Sequence, residues 1–142
     1  MKIWNKFGPF KWDLMASSAN VNCSASGEKL KYFSRYYDHF SHGCDIFLQP
    51  LHNLEQCFCF PPSPIIGKLV KYFQQQKANC VMVLHKICGS WYNLMRQYCE
   101  ESFSLCQPFN QHAFTIVSSR GIRVPMRLKT EMIVVKLNFA KN

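Results

Sequence analysis

At residues 57–66 the chain reads Cys57-Phe58-Cys59-Phe60-Pro61-Pro62-Ser63-Pro64-Ile65-Ile66, and few folds accommodate such a run. Proline lacks the N–H that a strand ladder uses and fixes its own backbone angle, so a strand entering Pro61-Pro62 ends there. Ile65, Ile66, Leu69, Val70 and Phe73 then recur on one helical face, with Lys68, Lys71 and Gln74 opposite. Pro64 suits the first turn of that helix, where its missing donor costs nothing. Cys80-Val81-Met82-Val83-Leu84-His85 follows as a short, continuous apolar segment of the kind a buried parallel strand requires. Together these pieces predict strand, rigid proline turn, helix and a second parallel strand, joined by a right-handed crossover. The expected fold is therefore α/β, with a mostly parallel sheet and flanking helices. In such sheets ligands bind beyond the carboxyl ends of the strands, which is where the proline turn falls.

The rest of the chain extends the pattern. Residues 1–7 read as the last turns of a helix stopped by Gly8-Pro9, so the natural domain is expected to begin upstream of Met1. Residues 10–16 form a short strand candidate, followed by a turn at Ser17-Ser18-Ala19-Asn20. The aromatic run Tyr32-Phe33-Ser34-Arg35-Tyr36-Tyr37 suggests another short strand entering a loop, and residues 45–51 a short helix. Trp91, Leu94, Met95 and Tyr98 lie at helical spacing behind the capping residue Ser90. Residues 113–117 read as a strand, 121–125 as an irregular link, and 132–139 as a final strand more apolar than alternating. One domain spanning residues 1–142 accounts for this length.

Hydrophobic and aromatic contents of 48% and 15% exclude a disordered chain. Seventeen basic residues against eight acidic give a formal charge of +9, which favours an anionic partner, most simply nucleic acid. Arg120, Arg123, Arg127 and Lys129 crowd the approach to the last strand and are candidate phosphate contacts, although a solvated loop accounts for them equally. No apolar stretch approaches membrane-spanning length, and the opening residues lack a secretory apolar run. The eight cysteines are accordingly expected to be reduced, in an intracellular protein (cytoplasm or nucleus) without a membrane partner. Cys57 and Cys59 alternate along a strand, so both point to one face and read as core thiols, not metal ligands. His42 with Cys44 lacks the second ligand pair of a zinc site, and no metal is expected. His85 has no orienting carboxylate at recognisable spacing that would make a cysteine–histidine pair. The acids do not cluster as two-metal nuclease chemistry requires.

Taken in order, Asp13-Leu14-Met15-Ala16-Ser17 with Asn20, the run at Phe33-Ser34-Arg35-Tyr36, Phe60-Pro61-Pro62, and the strand at Cys80–Leu84 with Trp91 resemble the phage-type DNA N6-adenine methyltransferases. They resemble still more the related domain that follows reverse transcriptase and ribonuclease H in tyrosine-recombinase (DIRS-like and Ngaro-like) retrotransposon polyproteins. The likeness runs from about Gly8 to Phe139. It implies a Rossmann-like sheet, S-adenosylmethionine as cofactor, and an adenine extruded from the duplex. It places Asp13, Ala16 and Asp45 near the cofactor, with a cap or turn acid as the alternative for Asp13 and Asp45, and Phe60, Pro61, Pro62 and Ser63 at the catalytic turn.

In active members that turn carries Asn or Asp, two prolines and an aromatic residue. The polar side chain accepts from the adenine amine and the ring stacks on the base. Here Phe60 occupies the acceptor position and Ser63 the stacking position. Phenylalanine accepts no hydrogen bond, and an amine unpaired in a dry pocket costs a few kcal/mol. The glycines expected for close cofactor approach are also missing from Met15-Ala16-Ser17-Ser18. The expectation is thus a degenerate, catalytically inactive methyltransferase-like domain that acts at most as a nucleic-acid-binding or structural module. In this expectation S-adenosylmethionine is not bound; the alternative is a residual S-adenosylmethionine-dependent adenine methyltransferase.

Overall fold

A computed structural model describes residues 2–86, 90–106, 114–117, 123–126 and 131–140. In chain order its elements are α1 (Lys2–Phe7), β1 (Trp12–Asp13), β2 (Lys31–Tyr32), β3 (Cys57–Cys59), α2 (Ile66–Gln76), β4 (Asn79–His85), α3 (Ser90–Gln97), β5 (Cys99–Cys106), β6 (Phe114–Val117), β7 (Arg123–Met126) and β8 (Met132–Asn138), with 3-10 turns at Ile46–Leu48 and Ser63–Ile65. Six strands form one mixed sheet in the order β2-β1-β3-β4-β8-β5, while β6 and β7 pair separately. The pairs β1–β2, β1–β3 and β3–β4 are parallel, and β8 runs antiparallel to both β4 and β5. Five of the six strands therefore point the same way, around a single reversed one.

Period-two alternation sends the side chains of the central strands to two layers. Cys80, Met82 and Leu84 of β4, with Ile133, Val135 and Leu137 of β8, pack under α2 and α3. Val81, Val83, Met132 and Val134 meet Ile3 of α1, Phe10 and Leu30 on the other face. Both faces are covered, which explains why Cys80–Leu84 of β4 and Met132–Val135 of β8 are continuously apolar. Most of the expected α2 stripe holds: Ile66, Leu69, Val70 and Phe73 are buried while Lys68 and Lys71 are exposed, but Ile65 precedes the helix and, like Gln74, is half-buried. Pro64 lies one turn earlier than expected, in the 3-10 turn ahead of the helix.

Helix α2 ends at Lys77, whose φ of 52° and ψ of 43° are left-handed. A β-carbon is unfavourable there, and glycine is the usual solution at this helix position. Lys77→Gly is expected to raise stability by about 0.5–1 kcal/mol, after glycine's own chain-entropy cost, read as a higher urea midpoint. An unchanged or lower midpoint would count against strain at this turn.

Four elements differ from expectation. The first strand is only Trp12–Asp13; Leu14 N–H still donates to Phe58 O, and the chain turns away at Ser17–Asn20. β5 carries polar residues at Glu100, Glu101, Ser102 and Ser104, the pattern of an edge strand paired on one side, and two register shifts weaken its periodicity further. Residues expected as an irregular link include β7, with Pro125 accommodated in a two-stranded pair. β8 is antiparallel, a direction that apolar periodicity does not encode.

Candidate functional site

The strand order β2-β1-β3-β4 reverses between β1 and β3: the chain leaves β1 to one side for β2 and returns past it to β3. Such a switch point opens a crevice at the carboxyl ends of the strands, because the flanking connections diverge. A cleft of about 900 Å³ lies here, between the segments that follow β1, β2 and β3. It is large enough for a nucleoside-sized ligand. Ala16, Asp45, Phe60 and Pro62, widely separated in sequence, share its walls.

The turn after β1 supplies one wall, Leu14 to Ser17 with Asn20. The amides of Ala16 to Ala19 already have acceptors. Ala16 N–H donates to Phe33 O (3.1 Å), Ser17 N–H to Asn20 Oδ1 (2.7 Å), Ser18 N–H to Asp38 Oδ2 (3.0 Å) and Ala19 N–H to Ser17 Oγ (3.3 Å). A backbone nest for a ligand carboxylate or phosphate needs free N–H groups, and Ala16 to Ala19 have used theirs.

Asp13 is not among the cleft-lining residues. Leu14 enters the layer under α2, whereas Asp13 is 2% exposed and its Oδ2 accepts from the Asn22 backbone N–H (3.1 Å) and from Asn22 Nδ2 (3.0 Å). It anchors the far end of the segment that forms the cleft wall. Burial pushes its carboxyl up to about 6, against the opposing pull of both Asn22 groups and of the nearby Met15 N–H. Oδ1 has no hydrogen-bond partner.

At the end of β3, Phe60 is 40% exposed and lines the cleft with Pro62, Pro64 and Ile65. Pro61 is buried, and Ser63 does not line the cleft. The Pro62 carbonyl accepts from Ile65 N–H (3.2 Å), closing the 3-10 turn. The corner thus presents a hydrocarbon ring and proline surfaces to the cleft.

Opposite stand the segments after β2. Asp45 lines the cleft and caps the turn Ile46–Leu48, its Oδ1 accepting from Phe47 N–H (3.0 Å). Its φ of 66° with ψ of 103° is costly for a non-glycine residue, and strain of this kind concentrates around ligand clefts. Lys68 Nζ lies 4.1 Å from the centre of the Phe47 ring, and the Tyr72 hydroxyl donates to Gln49 O, so α2 braces this wall. Asp38 accepts from Phe40 N–H and Ser18 N–H (3.0 Å each). Its carboxyl is held below the usual range, first by the Phe40 N–H, against desolvation and with help from the Tyr32 hydroxyl and Ser18.

Among the described residues, no three His, Cys, Asp or Glu side chains come together as a metal site. Cys57, Cys59 and Cys80 are buried free thiols in one core layer, as the alternation predicts. Burial pushes Cys57 up to about 12 and the other two well above the ordinary thiol range, which excludes them as nucleophiles for His85. Arg120, Arg127 and Lys129 lie outside the described residues, and of Arg123 only the backbone, in β7, is described.

Sequence reasoning missed Arg35, Tyr36, Tyr37, Asp38 and Phe47 as cleft residues. The available signal was two adjacent tyrosines followed by Asp38, since one face of a strand cannot bury both rings. No helix among the described residues is long and apolar enough to cross a membrane. Comparison with models of known protein families and with curated proteins finds no match to this chain.

Proposed function

We propose that this chain is a methyltransferase-like module of retroelement type that no longer transfers methyl groups and serves to bind nucleic acid. What supports the reading above all is the position of Phe60. A ring stands at the carboxyl edge of the sheet where adenine chemistry needs a hydrogen-bond acceptor. Without that acceptor the exocyclic nitrogen keeps its lone pair in the ring system and stays a poor nucleophile.

The cleft's donor set does not suit S-adenosylmethionine either. Its volume accommodates a nucleoside, but the amides of Ala16 to Ala19 are occupied and Asp13 is turned to Asn22. Asp45 is the cleft acid left to meet a ligand, since its Oδ1 alone is engaged in capping. The formal charge of +9 favours a polyanionic partner over a small neutral one.

Two assays test the reading. Incubation with labelled S-adenosylmethionine and adenine-containing DNA is expected to give no methylation, while the same DNA binds with strong salt dependence. The double variant Phe60→Asn with Ser63→Tyr is expected to stay inactive, because Ser63 does not line the cleft and the cofactor amides remain occupied. Methylation of adenine by the unaltered chain would overturn the proposal. Micromolar binding of S-adenosylmethionine in isothermal titration would restore the residual-enzyme reading.

A further inference from the structure

Three aromatic rings close together in sequence stand in the open beside the cleft: Tyr36 is 71% exposed, Tyr37 84% and Phe40 71%. Large apolar rings are normally spent on the core, so three exposed on one short segment need a reason. The segment is not loose. Ser34 Oγ donates to Tyr36 O (2.7 Å), Asp38 accepts from Phe40 N–H and Ser18 N–H, Ser41 N–H and Oγ donate to Asp38 O, and His42 N–H donates to Tyr32 O (2.8 Å). These bonds tie the start of the segment to Ser34, its end to β2 and its middle to the β1 turn, so the rings are presented on a braced backbone. The Arg35 guanidinium lies 5.1 Å from the centre of the Tyr36 ring, placing a planar cation on the same platform. Tyr36 and Tyr37 also line the cleft, whose far side carries Phe60, making the rim continuous with the switch-point crevice.

We infer that the Arg35–Phe40 segment is a stacking platform for the unpaired bases of a single-stranded nucleic acid. Every base offers a π-face, so exposed rings on a braced loop bind single strands without reading sequence. Arg35 supplies cation–π stacking and phosphate contact, and the +9 chain supplies the long-range attraction. A duplex keeps its bases stacked on one another and offers these rings no face. The inference rests on the nucleic-acid reading above and adds the substrate class and the residues that grip it.

The test uses the 142-residue chain and fluorescein-labelled probes of about 15 nucleotides: oligo(dT), oligo(U) and a DNA duplex of equal length, followed by anisotropy. The single strands are expected to bind more tightly than the duplex. Tyr36→Ala with Tyr37→Ala is expected to weaken single-strand binding by about tenfold or more and to leave duplex binding within about twofold. Exposure at both positions means the variant keeps the unaltered circular dichroism and urea midpoint. Tyr36→Phe with Tyr37→Phe, which keeps the rings, is expected to retain the affinity. Equal oligonucleotide affinity in the alanine variant would overturn the platform while leaving nucleic-acid binding in place. Failure of all three probes to bind would remove the parent reading too. A matching loss of binding to anionic phospholipid vesicles, with no single-strand preference, would overturn the inference in favour of a membrane face.

Discussion

The difference in stability between the natural chain and Asp13→Asn is expected to swing by about 2.5 kcal/mol between about pH 4 and pH 7, with the natural chain relatively weaker at the higher pH. The Asp13 carboxyl goes from an ordinary 3.8 in the unfolded chain to about 6 in the fold, so the folded state holds its proton longer. A folded value raised in this way contributes stability that is fully present below 3.8 and lost as pH rises through about 6. Asparagine keeps the oxygen that accepts from Asn22 and carries no charge to desolvate, so its stability does not follow that slope. Urea midpoints for both proteins at several pH values measure the difference. Parallel curves would mean that Asp13 is solvated or paired in the folded chain. Asp13→Ala serves as the second variant: it strands the Asn22 N–H and amide and should loosen the wall between Met15 and Asn20 at every pH.

Phe73→Ala is expected to cost about 3–5 kcal/mol, a large share of the stability of an ordinary domain. Phe73 is fully buried in the layer between α2 and the sheet, with the Phe139 ring 6.4 Å away, centre to centre. Its loss leaves a cavity that the rigid sheet below cannot close. Lys71→Ala, on the solvent side of the same helix, should change stability by less than about 0.5 kcal/mol. Equilibrium urea unfolding compares the two, and a Phe73→Ala loss below about 1 kcal/mol would mean that α2 does not pack as described.

The unit from β3 through α2 to β4 was readable because each cue in it is local. Proline ends a strand wherever it stands, a 3.6-residue stripe needs a core on one side, and a short all-apolar run needs cover on both faces. The burial of Ile66, Leu69, Val70 and Phe73 and the common face of Cys57 and Cys59 follow from those cues. β5 was not readable, because a polar edge strand with two register shifts shows neither the strand nor the helix period.

Of the residues named from the sequence for the cofactor and the catalytic turn, Ala16, Asp45, Phe60 and Pro62 line the cleft, and Pro61 is buried. Asp13 and Ser63 do not join them. Neighbouring residues on a strand face opposite layers, and the 3-10 turn after Pro62 carries Ser63 away. Neither effect could be phased before the strand's true end and the turn type were known.

Composition and local pattern were sufficient for the α/β class, the central crossover, the core face of α2, the buried thiols and the basic character. All of these depend on residues adjacent in the chain or on simple sums over it. Tertiary structure alone decided the reversal of β8, the bracing of the β1 turn by Phe33, Asn20 and Asp38, the burial of Asp13 against Asn22 and the exposed ring platform beside the cleft. Each of these joins groups distant in sequence or depends on which face a residue presents, and such pairings are selected by the packing of the whole sheet, not by any single segment.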